Sequence, residues 1–305
     1  MKKVLVILIM LFLITGCNKN SQEYTIVATN FPSYDFSRAI TKESDIKVEM
    51  LLKPGSEIHD FEPTPQDILK IKNSKIFIYV GGESDAWIED ILIDIDPTKT
   101  KIVKLMDLVD TYEEEITEGM EEETEESDET ELDEHVWTSP VNAIKITKKL
   151  TDYVISIDES NKELYRSNRD SYIKELENID TEIREVVSNA KRKELVFGDR
   201  FPFRYFVEEY GLTYYAAFPG CSEASEASAK TISFLINKVK EDKIPVIFHI
   251  ELSNNKIAET ISKETGAKVL ELNSAHNISK TEFDKGIRYV DIMKNNIVAL
   301  KEALN

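Results

Sequence analysis

Apolar positions along the chain fall into two series of short runs, each run followed by an amphipathic stretch. In the first series, Tyr24 to Thr29, Ile46 to Leu52, Lys75 to Val80 and Ile102 to Leu105 read as strands, rich in β-branched and aromatic residues. Tyr34 to Ile40 and Asp85 to Ile95 read as helices between them. Thr64, Pro65 and Asp67 supply an N-cap, a first-turn proline and a first-turn acid for one more helix. The second series repeats the alternation. Strands are expected at Glu194–Phe197, Thr213–Ala217, Pro245–Ile250 and Lys268–Leu272. Helices are expected at Arg204–Tyr210, Ser225–Glu241 and Lys256–Glu264, with one closing helix from Phe283 to Leu304. Strands separated by helices of this length form parallel sheets, and such sheets bind ligands in the loops beyond their strand ends. The fold class is therefore α/β, with two four-stranded parallel-sheet lobes.

Between the two series, Val141 to Phe197 contains no glycine or proline. Tyr165, Tyr172, Leu176, Ile179, Ile183 and Val186 form one apolar stripe of a long helix. Asp158-Glu159-Ser160 should break the region into two helices. A long rigid helix joining two lobes acts as a spine and limits the hinge motion that strand-linked lobes allow. Gly81-Gly82 reads as a strand-end turn, since no longer glycine motif surrounds it to cradle a phosphate.

The N-terminus changes the compartment. Lys2 and Lys3 precede an apolar run from Val4 to Ile14, too short to span a bilayer but the length of a signal-peptide core. It ends in Leu13-Ile14-Thr15-Gly16-Cys17, which looks like a bacterial lipobox, so Cys17 is the expected lipidation site; two acyl chains anchor stably. The expected organisation is a signal peptide over 1–16, a lipidated tether over 17–23, a first lobe over 24–140, linking helices over 141–190 and a second lobe over 191–305. Once Cys17 carries lipid, Cys221 has no partner for an internal disulfide, and stability must come from the core.

The formal net charge is −19, and loss of Lys2 and Lys3 with the signal peptide makes the mature chain more acidic still. Such a chain repels nucleic acid and anionic headgroups and attracts cations, so nucleic-acid binding is excluded. Over 113–134, 14 of 22 residues are acidic and none is basic. With no apolar period this acidic loop is expected to stay unpacked. It is either a solvated loop or a weak, unselective gatherer of cations.

There are only four histidines. His59 lies in Lys53-Pro54-Gly55-Ser56-Glu57-Ile58-His59-Asp60-Phe61-Glu62-Pro63, and His135 in Asp133-Glu134-His135-Val136-Trp137-Thr138-Ser139-Pro140. Both sit in Pro-bounded segments beside carboxylates that can orient an imidazole or complete a coordination shell. Two imidazoles brought together from distant loops begin a zinc site.

With these segments in view, the chain resembles the zinc- and manganese-binding solute-binding lipoproteins of bacterial ABC importers, from about Tyr24 to Leu304. The resemblance is carried by Pro54-Gly55-x-x-x-His59-x-Phe61-Glu62-Pro63-Thr64-Pro65 and Asp133-x-His135-Val136-Trp137-x-x-Pro140. It is also carried by Asp158-x-x-Asn161-x-x-x-Tyr165-x-x-Asn168-x-x-x-Tyr172 and by Tyr210-Gly211-Leu212. It implies two α/β lobes bridged by a long helix, metal in the interlobe cleft, and His59 and His135 as the ligands of the first lobe. The second lobe departs from the family pattern. Arg200 stands where the family has histidine or glutamate, and an arginine cannot ligate a cation. The family's last carboxylate falls near Asn273, and His276, three residues on, is the candidate replacement. Asp199 either reaches the metal or pairs with Arg200; Glu251 is a reserve carboxylate. His249, in an apolar strand, reads as a packing residue and Cys221 as an unliganded loop thiol.

Three imidazoles with a carboxylate or water favour zinc, with manganese as the alternative because it prefers more oxygen ligands. The expected function is extracytoplasmic capture of zinc by a lipid-anchored monomer and delivery to an ABC permease in the membrane. A surface adhesin is an alternative. A zinc hydrolase is disfavoured: there is no His-Glu-x-x-His motif, and the only candidate bases are Asp60, Glu57 and Asp199. No enzyme activity is expected.

Overall fold

The structure, a computed structural model, describes residues 25–56, 61–120, 131–222 and 226–305. His59 and Cys17 lie outside these residues. The first lobe contains β1 (Thr25–Ala28), α1 (Phe31–Ile40), β2 (Lys47–Met50), α2 (Pro65–Asn73), β3 (Ile76–Tyr79), α3 (Trp87–Leu92) and β4 (Lys101–Lys104). Its sheet runs β2-β1-β3-β4, every pair parallel. After α4 (Pro140–Ile157) and α5 (Lys162–Ser188), the second lobe contains β5 (Glu194–Arg200), α6 (Arg204–Tyr210), β6 (Thr213–Phe218), α7 (Ala229–Glu241), β7 (Val246–His249), α8 (Lys256–Thr265) and β8 (Lys268–Glu271). Its sheet runs β6-β5-β7-β8, again all parallel. The two lobes thus share one strand order, and their parallel pairing is what the alternating pattern predicts.

Local chemistry explains most boundaries. Thr64 caps α2 in a reciprocal capping box with Asp67, with Pro65 in the first turn. The expected helix over 225–241 begins only at Ala229, because Ser228 is its cap and accepts from the Thr231 amide at 3.2 Å. The expected helix over 85–95 is shorter, Trp87–Leu92, preceded by one 3-10 turn at Glu83–Asp85. The single closing helix is in fact two, α9 (Lys280–Asp284) and α10 (Tyr289–Leu304). Gly286 takes a left-handed φ of 72° that ends α9, and Arg288 with Asp291 restarts the chain as α10.

The spine is α5, 27 residues and so about 40 Å long. Its start is fastened by Asp158, which accepts from Ser160, Asn161 and the Tyr165 hydroxyl. Its first half grips the first lobe: Asn168 Nδ2 donates to the Ile40 and Lys42 carbonyls, and the Tyr172 hydroxyl donates to Asp35 at 2.9 Å. Its second half grips the second lobe: the Tyr210 hydroxyl donates to Asp180, Arg184 pairs with Glu209, and Arg288 of the loop before α10 makes a bidentate pair with Glu175. One apolar core runs unbroken from Phe36 through Trp137, Tyr165 and Tyr289 to Phe197 and Tyr205. Interiors packed in this way have low compressibility and transmit strain.

The acidic segment is better packed at its ends than its composition predicts. Tyr112, Glu114, Glu131 and Asp133 pair as a short antiparallel ladder, with the Glu114 amide donating to Glu131 and the Asp133 amide to Tyr112. Glu114 accepts from the Cys221 amide at 3.0 Å, and Met120 is buried. The correction has a plain cause: the flanks borrow their apolar and hydrogen-bonding partners from the second lobe, which a count of local charge does not see. Residues 121–130 lie outside the described ones.

Candidate metal centre

The two sheets turn their carboxyl ends toward a shared cleft, the place where parallel sheets bind ligands. His135 enters from the segment before α4. It is 1% exposed, and its imidazole is held from behind. Asp133 Oδ1 accepts from the His135 amide at 2.8 Å and lies 3.2 Å from Nδ1, so Nδ1 carries the hydrogen and Nε2 is left to face a metal. Burial alone would push the His135 pKa down; the Asp133 carboxylate, with Glu134 and Glu114, outweighs it and raises the pKa. Glu134 is itself buried, fixed by the Ser84 hydroxyl at 2.6 Å and the Ser84 amide at 3.2 Å. Gly220 packs close against the imidazole. A Cβ there would sit 3.3 Å from both Cε1 and Nδ1 of His135 and 2.9 Å from the Phe201 carbonyl.

His276 enters from the loop after β8. Its ring centroid lies 5.4 Å from that of His135, with the planes at 90°. Two imidazoles bound through nitrogen to one tetrahedral zinc, at Zn–N of about 2.05 Å, have centroids about 5.2 Å apart. The observed spacing therefore suits a shared ion. Trp137 packs against both rings, at 5.5 and 5.0 Å, and donates from Nε1 to the Ser274 carbonyl at 2.8 Å, fixing the loop that presents His276.

Glu251, just beyond β7, organises the same loop. Its Oε1 accepts from the Ser274 hydroxyl at 2.6 Å and the His276 amide at 3.0 Å, and its Oε2 accepts from the Ser274 amide at 2.7 Å. Burial pushes its pKa up to about 7 despite these bonds. It lines the cleft, as do Arg200, Ser56 and Asn277. Asp199 is placed differently. Its Oδ1 accepts from the Arg200 backbone amide at 2.9 Å and its Oδ2 from the Ile250 amide at 3.1 Å, so it joins β5 to β7 instead of lining the cleft. The Arg200 guanidinium donates to the Ser222 carbonyl at 3.4 Å. His249 is half-buried with Nδ1 2.9 Å from the Ile250 carbonyl, away from the cleft lining. Cys221 is buried beside the site, and burial pushes its thiol well up, away from the thiolate that binds metals.

Among the described residues, then, the cleft gathers two imidazoles and one engaged carboxylate, and no set of three or more His, Cys, Asp and Glu side chains is close enough to hold an ion. Of the ligands expected from sequence, His135, His276 and Glu251 line the cleft, Asp199 does not, and His59 lies outside the described residues. Sequence reasoning missed Gly220 and Asn277, whose roles depend on partners far away in the chain; the glycine after Pro219 was the one local signal for the first.

A bilobal solute-binding protein with a rigid helical linker is the class that this fold and cleft describe. The comparison with known families gives the particular one. The chain belongs to the family described as "Zinc-uptake complex component A periplasmic", which it matches over residues 26–303. That family consists of transport components, not enzymes. The chain is 34% identical over 285 residues to the high-affinity zinc uptake system protein ZnuA of Bacillus subtilis, covering 92% of this chain and 87% of that one. It is 33% identical to the zinc-binding lipoprotein AdcA of Streptococcus pneumoniae, covering 96% of this chain but only 58% of AdcA's length. The crystal structure of the Zn(II)-bound ZnuA-like domain of that AdcA superposes with a TM-score of 0.76 at 30% identity, covering 92% of this chain and 99% of the domain.

Proposed function

We propose that this protein captures zinc outside the cytoplasmic membrane and delivers it to an ABC permease, with His59, His135 and His276 as ligands. The observation that carries this reading is the 5.4 Å perpendicular pair of His135 and His276 at the mouth of two parallel sheets. Two imidazoles are an incomplete zinc site, and His59 is the residue that the sequence offers for the third place. Its segment follows β2 in the chain, and Ser56, three residues before it, lines the same cleft. The fourth place goes to Glu251 or to water. Glu251 lines the cleft, and its carboxylate would exchange part of its bonding to Ser274, His276 and its own amide for the ion. Asp199 is the weaker candidate, since both its oxygens serve backbone amides.

Nitrogen-rich donors favour zinc over manganese. The zinc-uptake family and the names of the relatives support the same metal. Lipid attachment at Cys17 rests on the lipobox-like segment, and a monomer is the assembly we assign. Calorimetry on the domain from Asn18 onward, with zinc and manganese in competition, tests the proposal. One equivalent of tightly bound zinc, lost in His276→Ala, is expected. Preference for manganese, or indifference to His276, would overturn the ligand set.

A further inference from the structure

Asn277 follows His276 and is 3% exposed. Its Nδ2 donates to two carbonyls of the first lobe, Lys53 at 2.8 Å and Ser56 at 2.7 Å. Its Oδ1 accepts from the Ile278 amide at 2.9 Å, and the Gly55 amide donates back across the lobe boundary to the Ile278 carbonyl at 2.7 Å. Residues 53–56 form a tight turn, with the Ser56 amide donating to Lys53 at 3.0 Å and Gly55 at a left-handed φ of 86°. That turn aims two carbonyls at one point, and it leads straight into the segment holding His59.

We propose that Asn277 is a positioning residue that fastens the His276 loop of the second lobe to the turn that launches His59. Zinc then meets a site held together across the cleft before it arrives. This rests on the zinc reading above. The residue type fits the task. A primary amide offers two hydrogens in one plane and an acceptor opposite, so one side chain satisfies two carbonyls and one amide at once. Serine has one donor, and ionised aspartate has none. Without the clasp, the turn at 53–56 and the loop at 273–278 are ordered separately, and metal binding must supply that ordering.

Asn296 provides the internal control. Its Nδ2 donates to the Asn273 carbonyl at 2.7 Å and its Oδ1 accepts from the Asn273 amide at 2.9 Å, so it braces the same loop from within the second lobe only. The experiment compares Asn277→Ala, Asn277→Asp and Asn296→Ala by zinc competition with a chromophoric chelator and by amide hydrogen exchange of the metal-free proteins. Losing the two hydrogen bonds to Lys53 and Ser56 should weaken zinc binding about 10- to 30-fold in Asn277→Ala. Asn277→Asp also adds a negative charge to the cleft lining, so it is read by exchange alone. Exchange over 53–56 should accelerate in both, while Asn296→Ala leaves exchange there at the native rate even if it melts earlier. Should Asn277→Ala fail to fold, Asn277→Asp, which keeps the shape, decides. Native exchange over 53–56 in either Asn277 variant would overturn the clasp, as would native zinc affinity in Asn277→Ala. Failure of the unmodified protein to bind zinc would instead overturn the metal reading, with the exchange measurement still deciding whether the clasp exists.

Discussion

Asp133→Asn isolates the contribution of one charge behind the metal. Asp133 is 1% exposed, and a single oxygen, Oδ1, makes both contacts to His135. Asparagine can place its carbonyl oxygen there and keep both bonds, so the substitution removes charge and leaves shape. From Oδ1 the path to the ion runs 3.2 Å to Nδ1, across the ring to Nε2, and on to the metal, about 7 Å in all. A unit charge facing a dication at that distance is worth about 1 kcal/mol in a water-like medium and about 5 kcal/mol at an effective dielectric of 20. Losses of 10- to 100-fold on removing such orienting groups fall inside this bracket. We therefore expect Asp133→Asn to weaken zinc binding about 10- to 100-fold, measured by chelator competition, with little change in melting temperature. Zinc affinity within twofold of native, alongside a large loss in His135→Ala, would refute the electrostatic argument.

Three further outcomes are expected. Gly220→Ala drives a methyl group against His135 and the Phe201 carbonyl; zinc affinity by the same competition should fall about tenfold, because neither the buried ring nor the backbone can yield cheaply. Trp137→Phe strands the Ser274 carbonyl and should lower unfolding free energy in urea by about 1–3 kcal/mol. The third concerns pH and the metal-free protein. Glu251 holds its proton up to about 7 when folded, whereas the unfolded side chain releases it near the ordinary 4.5. The folded state thus binds more protons in that window, and stability is lost as pH rises through it. Glu251→Gln removes this group's share, so the native protein should lose up to about 3 kcal/mol relative to the variant between pH 5 and pH 8 in urea titrations.

Much of the architecture was legible because it is local. Thr64, Pro65 and Asp67 mark a helix start by themselves, and the stripe from Tyr165 to Val186 specifies the buried face of α5. The closing helix was misread because Gly286 interrupts an otherwise helical composition at only one position, and the left-handed turn there is a backbone property. The site divided in the same way. His135 and His276 stand out as rare residues in loops, but what holds them does not. Asn277 and Lys53 are 224 positions apart, and Trp137 and Ser274 are 137 apart. Asp199 could not be assigned from sequence because a carboxylate serving two backbone amides and one facing a metal look alike in a string of letters.

The most direct test is zinc K-edge absorption on the protein loaded with one equivalent of zinc. Three imidazole nitrogens near 2.0 Å with a light-atom fourth ligand are expected. A sulfur scatterer near 2.3 Å, which would bring in Cys221, or fewer than three imidazoles would contradict the three-histidine site.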